Sequence, residues 1–344
     1  VEGTAQKVID EVACAADALT TSSYVDINHW VRELAMRVAL RVLADIPEDH
    51  ADERPFAHEF ERALSFFGLP LPVQMLRGPG TPYADMQMAR AALDRMILAE
   101  VERRRVAGEL GGGVLGMLLS CTDEAGEPLP GDTLRDHLAT VLFAGHDTTT
   151  ATMSFLVHEL GRTPHARDEL LAEIDDVLGG DPPRPEHLDG KALPVLERTI
   201  NETLRRFPPA WHGPRHTVRD VELDGVLVPK GTDVHYSSWA THHLPEYYTD
   251  PVAFRPDRFL PGGEVDQLPK GAYVPFGGGS RMCLGKRFAQ YEIRAITIAL
   301  CQRVVLDLDP ARPLRLSVAP TIGPKDGLPV FVRPRGRPSQ AQAA

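Results

Sequence analysis

Cysteine is scarce: Cys14, Cys121, Cys283 and Cys301 are the four in 344 residues. None forms C-x-x-C and no Cys/His cluster has zinc spacing, which excludes the common zinc modules and a disulfide framework and suggests a reducing compartment. Long apolar runs are missing as well, because charges break every candidate segment short of a membrane span. Basic residues are outnumbered, 37 Lys and Arg against 48 Asp and Glu, for a formal net charge of −11. That balance argues against nucleic acid, whose phosphates demand concentrated Lys and Arg. Neither a starting Met nor a basic-then-apolar leader opens the chain. "VEGTAQKVIDEVA" already reads as helix interior, so a missing N-terminal portion is expected. Repeats, low-complexity tracts and clear linkers are also lacking.

What is there is an ordinary globular composition, 43% hydrophobic and 25% charged, in a chain long enough to bury roughly 75% of its unfolded surface. The first 205 or so residues pattern as helix. In "VDINHWVRELAMRVALRVLADI", Val31, Leu34, Val38 and Val42 fall at helical spacing. "TLRDHLATVLFAGHDTTTATMSFLVHELG" predicts a long helix that starts after Asp132 as N-cap and ends at Gly161. It is apolar on nearly every face, so it should cross the middle of the protein. "PHARDELLAEIDDVLGG" predicts a helix opening on Pro164 and closing on Gly179-Gly180. After Phe207 short alternating strands and prolines take over, until a last helix from about Leu284 to Val304. The expectation is one mainly α domain over residues 1–334, helix-rich to 207 and β- and loop-rich from 208, with a disordered tail at 335–344.

Between Tyr273 and Phe288 the sequence reads "YVPFGGGSRMCLGKRF". A phosphate cradle is excluded, since G-x-x-x-x-G-K-[ST] would need glycine at Ser280 and a hydroxyl at Arg287. Two readings of Cys283 then stay open on the residues themselves. Free cysteine is often just a small hydrophobe. The alternative is a metal-bound thiolate, because a cysteine just ahead of a helix feels the positive end of the dipole and nearby amide N–H groups. Arg281 adds positive charge, while Gly279 and Gly285 let the backbone pass close to a flat, bulky ligand. One thiolate with no second cysteine near it suits haem iron better than zinc or an iron–sulfur cluster.

Phe276, Gly279, Arg281, Cys283 and Gly285 match F-x-x-G-x-R-x-C-x-G, and on these residues the sequence resembles the cytochrome P450 family, whose haem-ligand loop has this pattern. Five fixed positions at frequencies of about 5–7% occur by chance in such a chain with a probability on the order of 10⁻⁴. Three further segments agree in order. "AGHDTT", Ala144 to Thr149, lies inside the long helix. Its threonines could merely back-bond to carbonyls one turn earlier. The resemblance instead implies that Asp147 and Thr148 are the acid–alcohol pair that delivers protons for oxygen activation. It also implies that Ala144 and Gly145 leave room beside the haem. "ETLR" puts Glu202 and Arg205 on one helix face, and the resemblance makes them a structural pair completed by Arg258 of "FRPDRF". Arg215, ahead of "DVELDG", and Arg281 are implied partners of the haem propionates.

The implied fold is that of the family, mainly α with a minor β portion and truncated at its N-terminus. The implied activity is that of a haem-thiolate monooxygenase (EC 1.14.-.-) with haem b, O2 and a hydrophobic substrate. Expected pocket walls are Phe143, Met153, Ala210, Trp211, His212 and Ile322, with Thr321 and Gly323 beside the last; His212 either touches substrate or, the favoured reading, faces water. The sequence carries no flavin, nicotinamide or iron–sulfur fingerprint, so electrons are expected from a separate ferredoxin or flavodoxin and its reductase. Lys286 and Arg287 either help such a partner dock or are simply solvated. A peroxide-using or rearranging enzyme and a haem-free remnant are the alternatives. A bacterial, cytoplasmic monomer is expected.

Overall fold

The computed structural model describes residues 2–46, 53–319 and 321–336. Val8, Ile9, Val12, Ala15, Ala16 and Leu19 recur at the spacing of one helix face, and they are the buried face of α1 (Glu2–Leu19). Strand β1 (Tyr24–Asp26) leads into α2 (Ile27–Val38), which Asp26 caps by accepting from the backbone N–H of Asn28 at 3.0 Å and of His29 at 3.3 Å. The predicted helix continues past Val38 as a five-residue π segment, Ala39–Leu43. The same Asp26 Oδ1 accepts from Leu328 N–H at 2.9 Å, so one carboxylate ties the start of α2 to the far end of the chain.

Helices α3 (Glu53–Ser65), α4 (Leu71–Gln74), α5 (Pro82–Ala107) and α6 (Gly113–Leu119) follow. Phe56, Phe60, Leu93, Ile97, Val101 and Leu115 bury against the first half of α7 (Gly131–Arg162) to form one core. A second core joins α1, α2, the other half of α7, α8 (Pro164–Leu178), α9 (Pro194–Arg206) and α11 (Lys286–Arg303). Helix α7 runs through both, buried almost without break from His146 to Leu160, as its all-round apolarity predicts. Its start differs from expectation. Pro130 occupies the cap position, and Asp132 lies in the first turn, where its charge favours the helix dipole. Helix α8 opens on Pro164 and stops where Gly179 takes a left-handed φ of 55°, as expected. The N-terminus of α9 has no side-chain cap of its own; Glu173 of α8 supplies one, accepting from Val195 N–H at 2.7 Å and Leu196 N–H at 2.9 Å.

The β portion consists of small antiparallel pieces. β2 (Gly213–His216) pairs with β5 (Asp233–Tyr236), and β3 (Val221–Leu223) with β4 (Val226–Val228). The short α10 (Ser238–Thr241) follows, and the last helix begins at Lys286, two residues later than predicted. β6 (Val304–Leu308) and β9 (Pro329–Pro334) complete a three-stranded sheet in the order β1-β9-β6, while β7 (Leu316–Ser317) pairs with β8 (Gly323–Pro324). The tail expected at 335–344 is corrected at its first residue. Arg335 pairs with Asp175, Nη1 to Oδ1 at 3.0 Å, and donates to Cys301 O at 2.8 Å. Residues 337–344 lie outside the described residues.

Candidate active site

The loop before α11 is built on backbone freedom. Gly277 and Gly279 hold φ of 69° and 63°, which a side chain would strain. Around them, a Cβ at Gly278 or Gly279 would meet nothing within 4 Å. Cys283 N–H donates to Phe276 O at 2.9 Å and closes the loop, leaving the thiol exposed. Leu284 beside it is 96% exposed. Phe276 itself is half-buried against the main core, with Lys286 Nζ 5.6 Å from its ring centroid. Two anchors fix the approach to this loop. Tyr273 Oη donates to Asn201 O at 3.0 Å, and Val274 N–H donates to His242 Nε2 at 2.9 Å. His242 Nδ1 then donates to Arg205 O at 3.1 Å, so a single neutral tautomer satisfies both bonds. Burial pushes its pKa down to about 3, which keeps it neutral.

Arg205 belongs to the predicted structural set, and the geometry brings that set together. Its guanidinium meets Glu202 in a fork, Nε to Oε2 at 2.7 Å and Nη2 to Oε1 at 2.9 Å, and donates to His242 O at 2.8 Å. Arg258 Nε stands 3.4 Å from Glu202 Oε1, and all three side chains are fully buried. Burial raises the Glu202 pKa, against the pull of Arg205. Removing one partner would strand a buried charge, at a cost of about 3–5 kcal/mol.

On α7 the expected residues separate by face. At about 100° per residue, Ala144, Ala151 and Phe155 share one stripe, with Thr148 and Asp147 at its flanks. Phe143 and Ala144 are exposed just ahead of the buried stretch of the helix that starts at His146, Phe143 by 37%. Ala151 and Phe155 pack with Phe207 and Ile322, and Trp211 lies against them. The Phe155 and Phe207 rings stack at 4.2 Å. Trp211 and His212 adjoin, ring centroids 4.2 Å apart, and His212 and Ala210 are exposed. Met153 corrects the expected wall. Nine residues from Ala144 put it about 180° round the helix, and it is buried in the main core with its sulfur 3.7 Å from the Thr297 hydroxyl of α11. Gly145 also turns elsewhere, since a Cβ there would meet Leu43 Cδ1 at 3.8 Å.

Thr148 Oγ1 donates to Ala144 O at 2.7 Å, the back-bond that the sequence left open. Asp147 is buried, with Arg32 Nη2 at 3.2 Å from Oδ1 and the Thr321 hydroxyl donating to Oδ2. Arg32 was not legible as a site residue. Within "NHWVREL" it is one charge on an amphipathic helix, and only the packing of α2 along α7 gives it a partner. Glu292 of α11 was missed for the same reason. It is buried, Thr149 Oγ1 donates to its Oε2 at 2.9 Å, and desolvation pushes its pKa up to about 8 against that hydrogen bond.

A family profile described as "Cytochrome P450" matches residues 1–323. The chain belongs to the cytochrome P450 family. Putative cytochrome P450 120 of Synechocystis sp. is 36% identical over 268 residues, 77% of this chain and 58% of that protein. Cyclooctat-9-en-7-ol 5-monooxygenase of Streptomyces melanosporofaciens is 33% identical over 308 residues, 86% of this chain and 65% of that protein. The solved structure described as retinoic acid bound cyanobacterial CYP120A1 superposes with a TM-score of 0.88 at 30% identity, over 97% of this chain and 76% of that one. The chain therefore spans 58–65% of the length of these two curated relatives.

Cytochromes P450 bind haem b, and the donor set here fits that group. One exposed thiol heads a helix behind an open glycine loop. Arg215 and Arg281 are exposed guanidiniums with no carboxylate partner among the described residues; Arg215 donates only to Pro214 O and lies over the Tyr236 ring. Two such cations match the two propionates of haem, and the exposed apolar Phe143, Ala144 and Leu284 match its faces. Among the described residues no three His, Cys, Asp or Glu side chains gather to hold a bare metal ion.

Proposed function

We propose that this chain forms the catalytic part of a haem-thiolate monooxygenase acting on a hydrophobic small molecule, with electrons from a separate ferredoxin or flavodoxin. Cys283 carries the reading, an exposed thiol at the head of α11 whose backbone N–H is held by Phe276 O. Its thiolate would ligate the iron, and Arg215 and Arg281 would bind the propionates. When bound, haem supplies the oxygen activation that oxidises an unactivated C–H bond.

The chain's own residues position and protonate. Phe143, Ala144, Trp211 and Ile322 form apolar walls that exclude water. Thr148 holds a hydroxyl proton on Ala144 O, from which it can turn toward the site. Asp147 can exchange protons with water past the partly exposed Arg32. A peroxide-using or rearranging enzyme has no need of this pair, which favours the O2 reading. The names of two relatives mention a cyclooctatenol and retinoic acid. One compound is an alcohol and the other a carboxylic acid, each with one oxygen-bearing group on a chiefly hydrocarbon frame, and the apolar walls with exposed His212 at their margin suit that class. We assign the basic pair Lys286 and Arg287 beside the loop to partner docking. A monomer in the cytoplasm is part of the same proposal. Among the described residues no helix is long and apolar enough to cross a membrane.

The test is the reduced, CO-bound spectrum of the haem-loaded protein. A strongly red-shifted Soret band is expected, and Cys283→Ser should abolish it; a band unaffected by that substitution refutes the assignment. Thr148→Ala should leave the band and divert electrons from product to peroxide.

A further inference from the structure

Two holds converge on the buried carboxylate of Asp147, Arg32 of α2 on one oxygen and the Thr321 hydroxyl on the other. They differ in what stands behind them. Arg32 comes from a well-packed helix and is partly exposed. Thr321 comes from the turn between β7 and β8, a ladder only two residues long. The next residue, Ile322, is buried against Ala151, Phe155 and Phe207, with Trp211 on the same cluster. Ile322 N–H donates to Pro209 O at 3.1 Å, and Trp211 Nε1 donates to Val318 O at 2.8 Å. One weakly laddered turn thus sets Ile322 into the apolar cluster on one side and a clamp on the acid on the other.

We propose that Thr321 is a positioning residue that couples filling of the apolar pocket to release of Asp147. A bulky apolar ligand wedged against Ile322 and Trp211 shifts the turn and breaks the Thr321–Asp147 bond. The carboxylate is then held by Arg32 alone, on the side open to water, where it can take up and pass on a proton. Without a ligand the second hold stays in place. The inference rests on the monooxygenase reading above. It also has a reciprocal consequence: a ligand that must break the bond binds more weakly by what the bond contributes, roughly tenfold for a charge-assisted hydrogen bond of ordinary strength.

Two azoles test it on the haem-loaded protein, each titrated by its Soret shift. Imidazole is too small to press on the turn, and clotrimazole is bulky and apolar. Thr321→Val is expected to bind clotrimazole roughly tenfold more tightly with imidazole affinity unchanged. Thr321→Ser, which keeps the hydroxyl, should behave as the native chain. In an Asp147→Asn background the gain should shrink to about twofold or less. Imidazole binding together with equal clotrimazole affinity in the native chain and Thr321→Val overturns the coupling while leaving the haem reading intact. A gain that is the same for both azoles, or one that persists in Asp147→Asn, overturns it too. No Soret change with either azole overturns the haem reading and the coupling with it.

Discussion

Glu292 shows how far a residue's chemistry depends on its neighbours. Its carboxyl is buried between α11 and Thr149 of α7, with Oε1 lacking a hydrogen-bond partner among the described residues. Its pKa rises from 4.5 to about 8, so between those values the folded chain holds a proton that the unfolded chain has lost. Stability must then fall as pH rises through that window, by up to about 1.4 kcal/mol per unit from this group. Glu292→Gln keeps the hydrogen-bond acceptor and cannot ionise. Its stability relative to the native chain should grow steadily across the window in urea unfolding; parallel pH profiles would refute the assignment. In the sequence, "QYEIRAITIAL" marks Glu292 only as one acid in an apolar helix. Cys283 is different, because its spacing to Phe276, Gly279, Arg281 and Gly285 is local and survives without any tertiary contact.

At the scale of elements, helices were legible where periodicity and end signals agree. Pro164 and Gly179 bound α8 as expected, and the uniform apolarity of α7 matches its passage through both cores. The π segment after α2 left no such mark, since its residues continue the helical pattern. Nor did the lock between β1, α2 and β9, which depends on residues about 300 apart in the chain. Gly327, just before Leu328, has φ of 75°, and a Cβ there would lie 1.8 Å from Asp26 Oδ2. Gly327→Ala therefore strains the turn and displaces the carboxylate that caps α2 and holds Leu328. We expect a loss of about 2 kcal/mol or more, read as a lower urea midpoint with unchanged slope. Because α2 carries Arg32, the same variant should disturb the hold on Asp147.

For the molecule as a whole, the face that would contact haem is assembled from segments distant in sequence. Phe143 and Ala144 come from α7, Arg215 from β2, and Arg281, Cys283 and Leu284 from the loop before α11. Behind them, Glu202, Arg205, Arg258 and His242 tie α9 to the segment that leads into the loop. A ligand that bridges these segments stabilises the whole fold. Haemin at 100 times its dissociation constant should add about 2.7 kcal/mol, a rise of several degrees in thermal midpoint. Cys283→Ala should lose much of that rise, and an equal response in both proteins would count against thiolate ligation.

The sequence by itself determined the helical class and the family, because composition and short-range spacing carry both, and through the family resemblance it singled out Cys283, Asp147, Thr148 and the residues Glu202, Arg205 and Arg258 as candidates. Only the tertiary structure decided which face of α7 each residue takes, removing Met153 from the expected pocket wall and turning Gly145 toward Leu43. It also gave Asp147 its two holds and Glu292 its raised pKa. Burial, hydrogen-bond partnership and side-chain direction arise when distant helices pack, and no local pattern encodes which helix that neighbour will be.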